Sequence, residues 1–435
     1  MSLTSKNLKE KVSPKDLVKI KTVSGSTKKG RVIPDKEFPE KIVLKLDNGY
    51  NTVFKAESIS EIEVLQKNKS SKTQKKPSKK VEKEEGKKDI LVLHTGGTIA
   101  SRVSYEEGGV KPGFSAEDLL EMYPEIFRLA NIESEVVAQM LSEDMEPSHW
   151  QQIAEKVYSK INDFDGVIIS HGTDTMQHTA SALSFMLENL DKPVVLVGSQ
   201  RSSDRPSSDS AQNLEAAVKF VCEDVPGVFV CMHETSNDDK VAIHRGVRVR
   251  KMHSSRRDAF KTVGGSPFAV VDLEKESLEV NGEFKTTKKE LKLKKELETN
   301  VGYLKVVPGM SKEDIERFKE SEGVLIEGTG LGHLPVNSFD EHTEHHEEIL
   351  NSLESICEDT LVGMATQCIG GRVNMDVYDS GLKIKNAGVV SSENMLPETA
   401  YVKMMWVLGN TGSLEDAKKL FKQNLAGEII GSEHL

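Results

Sequence analysis

Cysteine is scarce in this sequence: the four, at 222, 231, 357 and 368, are widely spaced and contain no Cys-x-x-Cys. That excludes a disulfide scaffold and leaves reduced, mostly buried thiols of a cytosolic protein as the expectation. No apolar run approaches membrane-spanning length, and the polar start Met1-Ser-Leu-Thr-Ser-Lys6 is not that of a signal peptide. The cytoplasm is therefore the expected location, with no membrane partner. Positive charge is in deficit as well. A net charge of −11 makes the whole chain a poor stand-alone nucleic-acid binder, so any RNA contact has to be local or made by a partner. Aromatic residues are few and charged ones many, a soluble globular profile.

Several chemistries are missing too. The glycine-rich stretches lack the Gly-Lys-Ser/Thr of a phosphate loop, and no complete dinucleotide fingerprint follows a strand. His342, His345 and His346 do not have zinc-protease spacing and read as a solvated helix face. Cys231 with His233 is too sparse for zinc. No metal is expected, and no internal repeat is present.

What is there divides into four parts. At 435 residues the chain has material for two to three domains. Residues 1–65 hold short alternating strands, Asp16-Leu-Val-Lys-Ile-Lys, Arg31-Val-Ile and Lys41-Ile-Val-Leu-Lys-Leu, and a turn at Asp47-Asn-Gly. This spacing predicts a small β-barrel of SH3-like or Tudor-like form, a docking module or an RNA or protein binder. Residues 66–88 turn to Lys, Ser, Thr and Glu and read as a flexible linker, its lysines solvated rather than bound to phosphate. Strand and helix then alternate. Residues 89–295 predict a larger α/β lobe on a doubly wound, mostly parallel sheet, and 296–435 a second α/β lobe. Within the first, helices are expected at Ser115–Met122, from Pro147 with Trp150, Ile153, Val157 and Ile161 on one face, and along the stripe Met176, Ala180, Leu183, Leu187, Leu190. The last helices should begin near Pro397 and Ser413.

Two strands end in Gly-Thr turns, and the chemistry should gather there. Leu91-Val-Leu-His-Thr-Gly-Gly-Thr-Ile-Ala100 and Gly166-Val-Ile-Ile-Ser-His-Gly-Thr-Asp-Thr175 each read as a buried parallel strand running into a turn. In such sheets the site lies beyond the carboxyl ends of the strands. Gly96 and Gly97 allow a close backbone approach, and Thr95 and Thr98 are expected to face a shared crevice. A threonine hydroxyl is too weakly acidic to attack unaided, and Thr173, Asp174 and Lys251 supply a set that could move its proton. His171 reads as a prop for its turn.

These residues carry a resemblance. Thr95-Gly-Gly-Thr-Ile99 and His171-Gly-Thr-Asp-Thr175 resemble the two signatures of the bacterial-type L-asparaginase/glutaminase family, over about four-fifths of the chain. The resemblance implies a two-lobed asparaginase-like α/β fold behind the small barrel. It places Thr98 as first nucleophile and Thr173, Asp174 and Lys251 as a second cluster across the amide. Ser142 in Ser142-Glu-Asp-Met145 would hold the substrate carboxylate and Asp174 its ammonium, with Gly97, Glu143 and Tyr105 also lining the site. The sequence departs from the family in three places. Arg250 and Met252 flank Lys251 where relatives have threonines, Glu143 replaces a common glutamine, and Val110 stands where many relatives carry an activating tyrosine. Either Tyr105 substitutes for that tyrosine or the nucleophile is left under-activated. An acyl-threonine and a directly activated water both stay open.

The N-terminal module, with Thr366-Gln-Cys-Ile through Asn394-Met-Leu-Pro-Glu-Thr-Ala400, narrows the resemblance to glutaminase subunits of tRNA-dependent amidotransferases. It implies glutamine hydrolysis, with the ammonia passed to a kinase/transamidase partner subunit that holds glutamyl-tRNA(Gln). It also implies a homodimer that forms a heterotetramer with that partner, and no cofactor in this chain, ATP and Mg being used by the partner. The alternatives are a free-standing L-asparaginase, which leaves the barrel and linker unexplained, and a non-catalytic RNA-binding scaffold, which leaves the Thr98, Thr173, Asp174, Lys251 set unexplained.

Overall fold

Short strands with a two-residue rhythm come first. β1 (Leu17–Thr22), β2 (Thr27–Ile33), β3 (Lys41–Leu46), β4 (Asn51–Lys55) and β5 (Ile59–Gln66) form one antiparallel sheet in the order β4-β3-β2-β1-β5. Alternation puts Val18, Ile20, Val32, Ile42, Leu44 and Phe54 on one face, where they make a separate core with Val12 and Ile59. This is the small β domain that the strand spacing predicted. The computed structural model describes residues 12–13, 16–23, 25–33, 41–46, 51–67, 83–97, 101–103, 110–112, 119–120, 122–201, 208–284 and 286–431. The start of the helix expected at Ser115 and most of the 66–88 linker lie outside the described residues.

From Asp89 an eight-stranded sheet takes shape. β6 (Asp89–Gly96), β7 (Asn131–Met140), β8 (Gly166–Ser170), β9 (Pro193–Val197), β10 (Gly227–His233) and β11 (Lys240–Arg245) enter it first. A two-stranded ribbon follows, β12 (Val249–Lys251) with β13 (Phe260–Thr262). β14 (Ala269–Asp272) and β15 (Ser277–Val280) then complete the sheet in the order β15-β14-β11-β10-β9-β8-β6-β7. The five strands from β7 to β10 are parallel, and β11, β14 and β15 extend the sheet antiparallel. Strands buried on both faces read as unbroken apolar runs, which is why β6, β8 and β9 are plain in the sequence. The long strand β7 buries only Ile132, leaves its other residues half-exposed or exposed, carries charge, and gives no such run.

The longer helices of this lobe are α1 (Pro147–Lys160), α2 (Met176–Met186) and α3 (Ser210–Val221). The second lobe is a parallel sheet in chain order, β16 (Val301–Lys305), β17 (Gly323–Gly328), β18 (Leu361–Thr366) and β19 (Val390–Ser391). α4 (His346–Cys357) covers it, and α5 (Pro397–Gly409) and α6 (Leu414–Phe421) close the chain. Pro397 sits in the first turn of α5, and the Ser413 hydroxyl accepts the Asp416 N–H at the start of α6, so both begin where the sequence placed them.

One helix is more buried, and shorter, than its apolar stripe predicts. All of α2 is buried except His178 and Ser184, and the helix stops at Met186 although the apolar pattern runs on to Leu190. The physical reason is that α2 is packed on two sides, against β10 and against α5. A helix wrapped by both lobes has no polar face to keep. Leu187 already belongs to a short strand paired with Lys292–Leu293.

α5 also carries a buried charge. Lys403 and Glu428 are both fully buried, and Lys403 Nζ donates to Glu428 Oε1 at 2.6 Å and to the Gln423 carbonyl. The Glu428 carboxylate also accepts the N–H groups of Leu425 and Ala426, which fixes the C-terminal tail. Desolvation lowers the Lys403 pKa, and the nearby Glu428 carboxylate opposes that shift. Cys231 and Cys357 are buried, Cys222 is half-buried and Cys368 is exposed, so the thiols are less uniformly buried than expected. Among the described residues no helix is long and apolar enough to cross a membrane.

Candidate active site

β6 and β8 are hydrogen-bonded neighbours, and β6 marks the point where the strand order reverses: β7 lies on one side, β8 and β9 on the other. A crevice opens at the carboxyl ends of strands at such a reversal. Both threonine-bearing turns sit there.

The first turn corrects one expectation. Thr95 does not face the crevice: it is buried, and its hydroxyl donates to the Ser170 carbonyl at 2.9 Å, stapling β6 to β8. His94 repeats the link through Ser170 Oγ at 2.8 Å. Gly97 has φ +81°, and a Cβ there would lie 2.9 Å from the Gly172 nitrogen. Only glycine lets the two turns approach this closely. Thr98, the next residue, and Tyr105 lie outside the described residues. Val110 begins a short strand (Val110–Pro112) paired with Ser101–Val103.

The second turn brings three predicted residues together. Lys251, at the end of β12, donates from Nζ to Thr173 Oγ1 and to Asp174 Oδ1, each at 2.8 Å. The lysine side chain is 9% exposed and the aspartate 65%, so the ammonium is inside and the carboxylate opens outward. Ser142 lies alongside. Its Oγ accepts the Asp174 N–H at 3.1 Å, and its carbonyl accepts the Thr175 hydroxyl at 2.6 Å. Glu143 stands next to it in the 3-10 turn Ser142–Asp144, exposed. Thr173, Asp174, Ser142 and Lys251 thus converge from three separate segments, and Gly97 touches the same turn.

β12 is held from behind by the second lobe, which the sequence did not reveal. Residues 248 and 250 point away from the side that Lys251 uses, as strand alternation requires. Arg248, almost fully buried, donates to the carbonyls of Val263, Asn394 and Glu428. Arg250 pairs with Glu398, Nε to Oε1 at 3.2 Å. Thr399 donates to the Val247 carbonyl. Asn394, Glu398 and Thr399 all belong to the segment that leads into and begins α5. Arg250, one of the two residues that make the Lys251 flanks unusual, therefore has its partner in the other lobe. The loop after β9 gave no signal in the sequence either. There the buried carboxylate of Asp209 accepts the N–H groups of Gln200 and Arg201, and Asn213 ties the same carboxylate to the Gly198 carbonyl.

Buried histidines frame the site. His171 is buried, with Nδ1 on the Gly172 carbonyl and Nε2 on the Thr179 hydroxyl, a prop as expected. Burial pushes His94 and His171 down to about 4, and His244 to about 3. Their folded values lie below the ordinary 6.5, so between these limits the unfolded chain binds protons that the folded one does not. Stability is fully present above pH 6.5 and is lost as pH falls toward 4. Each histidine costs up to about 3 kcal/mol over that window. A denaturant midpoint measured from pH 7.5 to 4.5 should fall steadily below 6.5, and a flat profile would contradict the buried, neutral imidazoles. His233 is buried against Asn213 beside Cys231, and His346 meets the Asn337 carbonyl while His342 is exposed. No cluster of three or more metal-ligating side chains occurs among the described residues.

Comparison with known proteins places this arrangement. Residues 89–285 match the model "Asparaginase, N-terminal", 300–421 match "Glutaminase/Asparaginase C-terminal domain", and 12–65 match "GatD N-terminal domain". The chain is 45% identical over 410 residues to the D subunit of the glutamyl-tRNA(Gln) amidotransferase of Pyrococcus abyssi, covering 93% of this chain and 91% of that protein. To the corresponding D subunit of Archaeoglobus fulgidus it is 44% identical over 415 residues, covering 95% and 94%. Among solved structures, the thermostable L-asparaginase of Thermococcus kodakarensis superposes with a TM-score of 0.71 at 33% identity, covering 79% of this chain and 100% of that one. L-asparaginase I of Vibrio cholerae gives 0.69 at 30% identity, covering 79% and 99%.

Proposed function

This chain belongs to the glutaminase/asparaginase family, in the branch of the glutamyl-tRNA(Gln) amidotransferase D subunits, and from that premise we propose that it hydrolyses glutamine to supply ammonia for the amidation of glutamyl-tRNA(Gln). The observation that carries the reading is the ammonium of Lys251 bonded at once to Thr173 and Asp174, beside the Gly97 turn.

In this reading Thr98 attacks the side-chain amide, one residue beyond Gly97. Lys251 donates to Thr173 Oγ1, which leaves the threonine's own hydrogen free to be directed at a water or at the leaving amine. The same ammonium orients Asp174, whose exposed carboxylate is placed to receive the substrate ammonium. Ser142 holds the Asp174 backbone and offers its hydroxyl to the substrate carboxylate, with Glu143 at the rim. The groups needed for hydrolysis come from the chain itself. ATP and Mg belong to the kinase/transamidase partner, which also holds the tRNA, and the assembly is a heterotetramer built on a dimer of this chain. Residues 89–295 and 296–435 supply the hydrolytic body and 1–65 an accessory module.

Hydrolysis should be weak in the isolated chain and rise when the partner and glutamyl-tRNA(Gln) are added. Val110 at the family's tyrosine position leaves Thr98 without its resident helper, and partner binding would bring Tyr105 or an equivalent group to it. Moving such a switch from 1:99 to 99:1 takes about 5.5 kcal/mol of differential binding, within reach of a protein–RNA assembly. Ammonia release should be measured for the chain alone, with partner, and with partner plus charged tRNA, each with glutamine and with asparagine. Equal rates in all three would remove the switch. A marked preference for asparagine in the chain alone would favour a free-standing asparaginase, the activity of the superposed solved structures.

A further inference from the structure

A cavity of about 1510 Å³ opens where the first lobe meets the C-terminal segment 420–430. It lies at the end of the β12–β13 ribbon opposite to Lys251. Val249 pairs with Thr262, which lines the cavity, whereas Lys251 pairs with Phe260, which does not. Small-molecule sites usually measure about 300–1,000 Å³, so there is ample room for one. Leu190, Phe268, Phe284, Trp406 and Leu425 supply apolar wall.

Arg245, the last residue of β11, lines the same cavity and is half-buried. Its guanidinium lies 4.7 Å from the centre of the Phe268 ring, and one nitrogen donates to the Glu283 carbonyl. No carboxylate pairs with it among the described residues. Burial lowers its pKa, and no acid opposes that shift. The other cations of the cavity have acceptors: Lys294 pairs with Glu188 at 2.8 Å, and Arg248 donates to the carbonyls of Val263, Asn394 and Glu428. A guanidinium carries a whole fork of N–H donors, and Arg245 has one described acceptor for it. The rim adds Gly264-Gly265-Ser266. A Cβ on Gly265 would meet nothing within 4 Å, so a ligand can come close to the backbone there.

We propose that this cavity binds a small organic anion, a carboxylate or phosphate carried on a flat apolar body. The anion pairs with the Arg245 fork, whose planar geometry matches both groups, and the body lies against the aromatic walls. A half-buried cation without a counterion is costly to hold, and a bound anion removes that cost. A neutral or cationic ligand would leave the guanidinium uncompensated. Thr173, Asp174, Ser142 and Lys251 do not line the cavity, so the site is separate from the proposed hydrolysis.

The test titrates the full chain with two fluorescent probes that share one aromatic body. Anilinonaphthalene sulfonate carries an anion, its sulfonate standing in for the carboxylate or phosphate, and phenylnaphthylamine carries no charge. The parent chain should bind the sulfonate probe saturably. Arg245→Gln should weaken that binding by about tenfold or more, the size of a charge-assisted hydrogen bond, and leave phenylnaphthylamine binding within about twofold. Arg245→Lys keeps the charge without the planar fork and should fall between parent and Arg245→Gln. Misfolding gives the opposite sign, because a loosened core takes up both probes more strongly. If Arg245→Gln does not melt cooperatively, Arg245→Lys decides, and a loss confined to the sulfonate probe supports the site. No saturable sulfonate binding by the parent chain would overturn the proposal. So would an equal loss of both probes, which assigns Arg245 to holding the cavity walls, or unchanged sulfonate binding in a folded variant.

Discussion

Lys251→Ala is expected to abolish glutamine hydrolysis, with kcat falling by about a thousandfold or more while the protein stays folded. The lysine makes the only described side-chain link between Thr173 and Asp174, and it is 9% exposed while its carboxylate partner faces solvent. Removing it leaves the threonine without its donor and the aspartate free to rotate, so proton transfer and substrate orientation fail together. Thr173→Ala and Thr98→Ala should cost about as much, because members of a coupled set do not contribute independently. Arginine should not rescue. A single nitrogen delivers both 2.8 Å bonds, and a guanidinium spreads its donors over a planar fork. Circular dichroism and the melting curve establish that the variant is folded, and an ammonia-release assay in the assembled complex gives the rate. Near-full turnover would remove Lys251 from the mechanism.

The largest expected loss of stability lies elsewhere, at Lys403→Met. This change leaves Glu428 ionised and buried without its ammonium, although the carboxylate keeps the N–H groups of Leu425 and Ala426. Breaking a buried pair on one side costs about 3–5 kcal/mol. Adding Glu428→Gln should restore most of it, since the amide oxygen still accepts those N–H groups and no charge is stranded. Unfolding in denaturant, with the single and double variants side by side, decides the point. Equal losses in both would mean that the tail is held by packing rather than by the ion pair.

The parts of this molecule that can be read from the sequence are those where one interaction dominates. β6, β8 and β9 are buried on both faces and announce themselves as apolar runs; α1 has a single buried stripe and a proline at its start. Thr173 and Asp174 are adjacent in the chain, and a signature motif carries them. What escaped is set by tertiary packing. Thr95 looks equivalent to Thr98 in Thr-Gly-Gly-Thr, yet the bulged end of β6 turns its hydroxyl inward to Ser170. α2 is buried on nearly every side, beyond what its apolar stripe predicts, because both lobes cover it. Arg248 and Arg250 look like an odd basic run, and only the approach of Asn394 and Glu398 from 146 and 148 residues away explains them.

That last contact bears on how such a protein can be recombined. The strand that ends in Lys251 is anchored by Asn394, Glu398 and Thr399, so the two halves of the chain are not interchangeable parts. A chimera that takes residues 89–295 from here and the remainder from a relative with threonines flanking its lysine inherits Arg250 without Glu398's counterpart. The unit of exchange is the strand together with the start of α5, two segments that any evolutionary shuffling has to move at once.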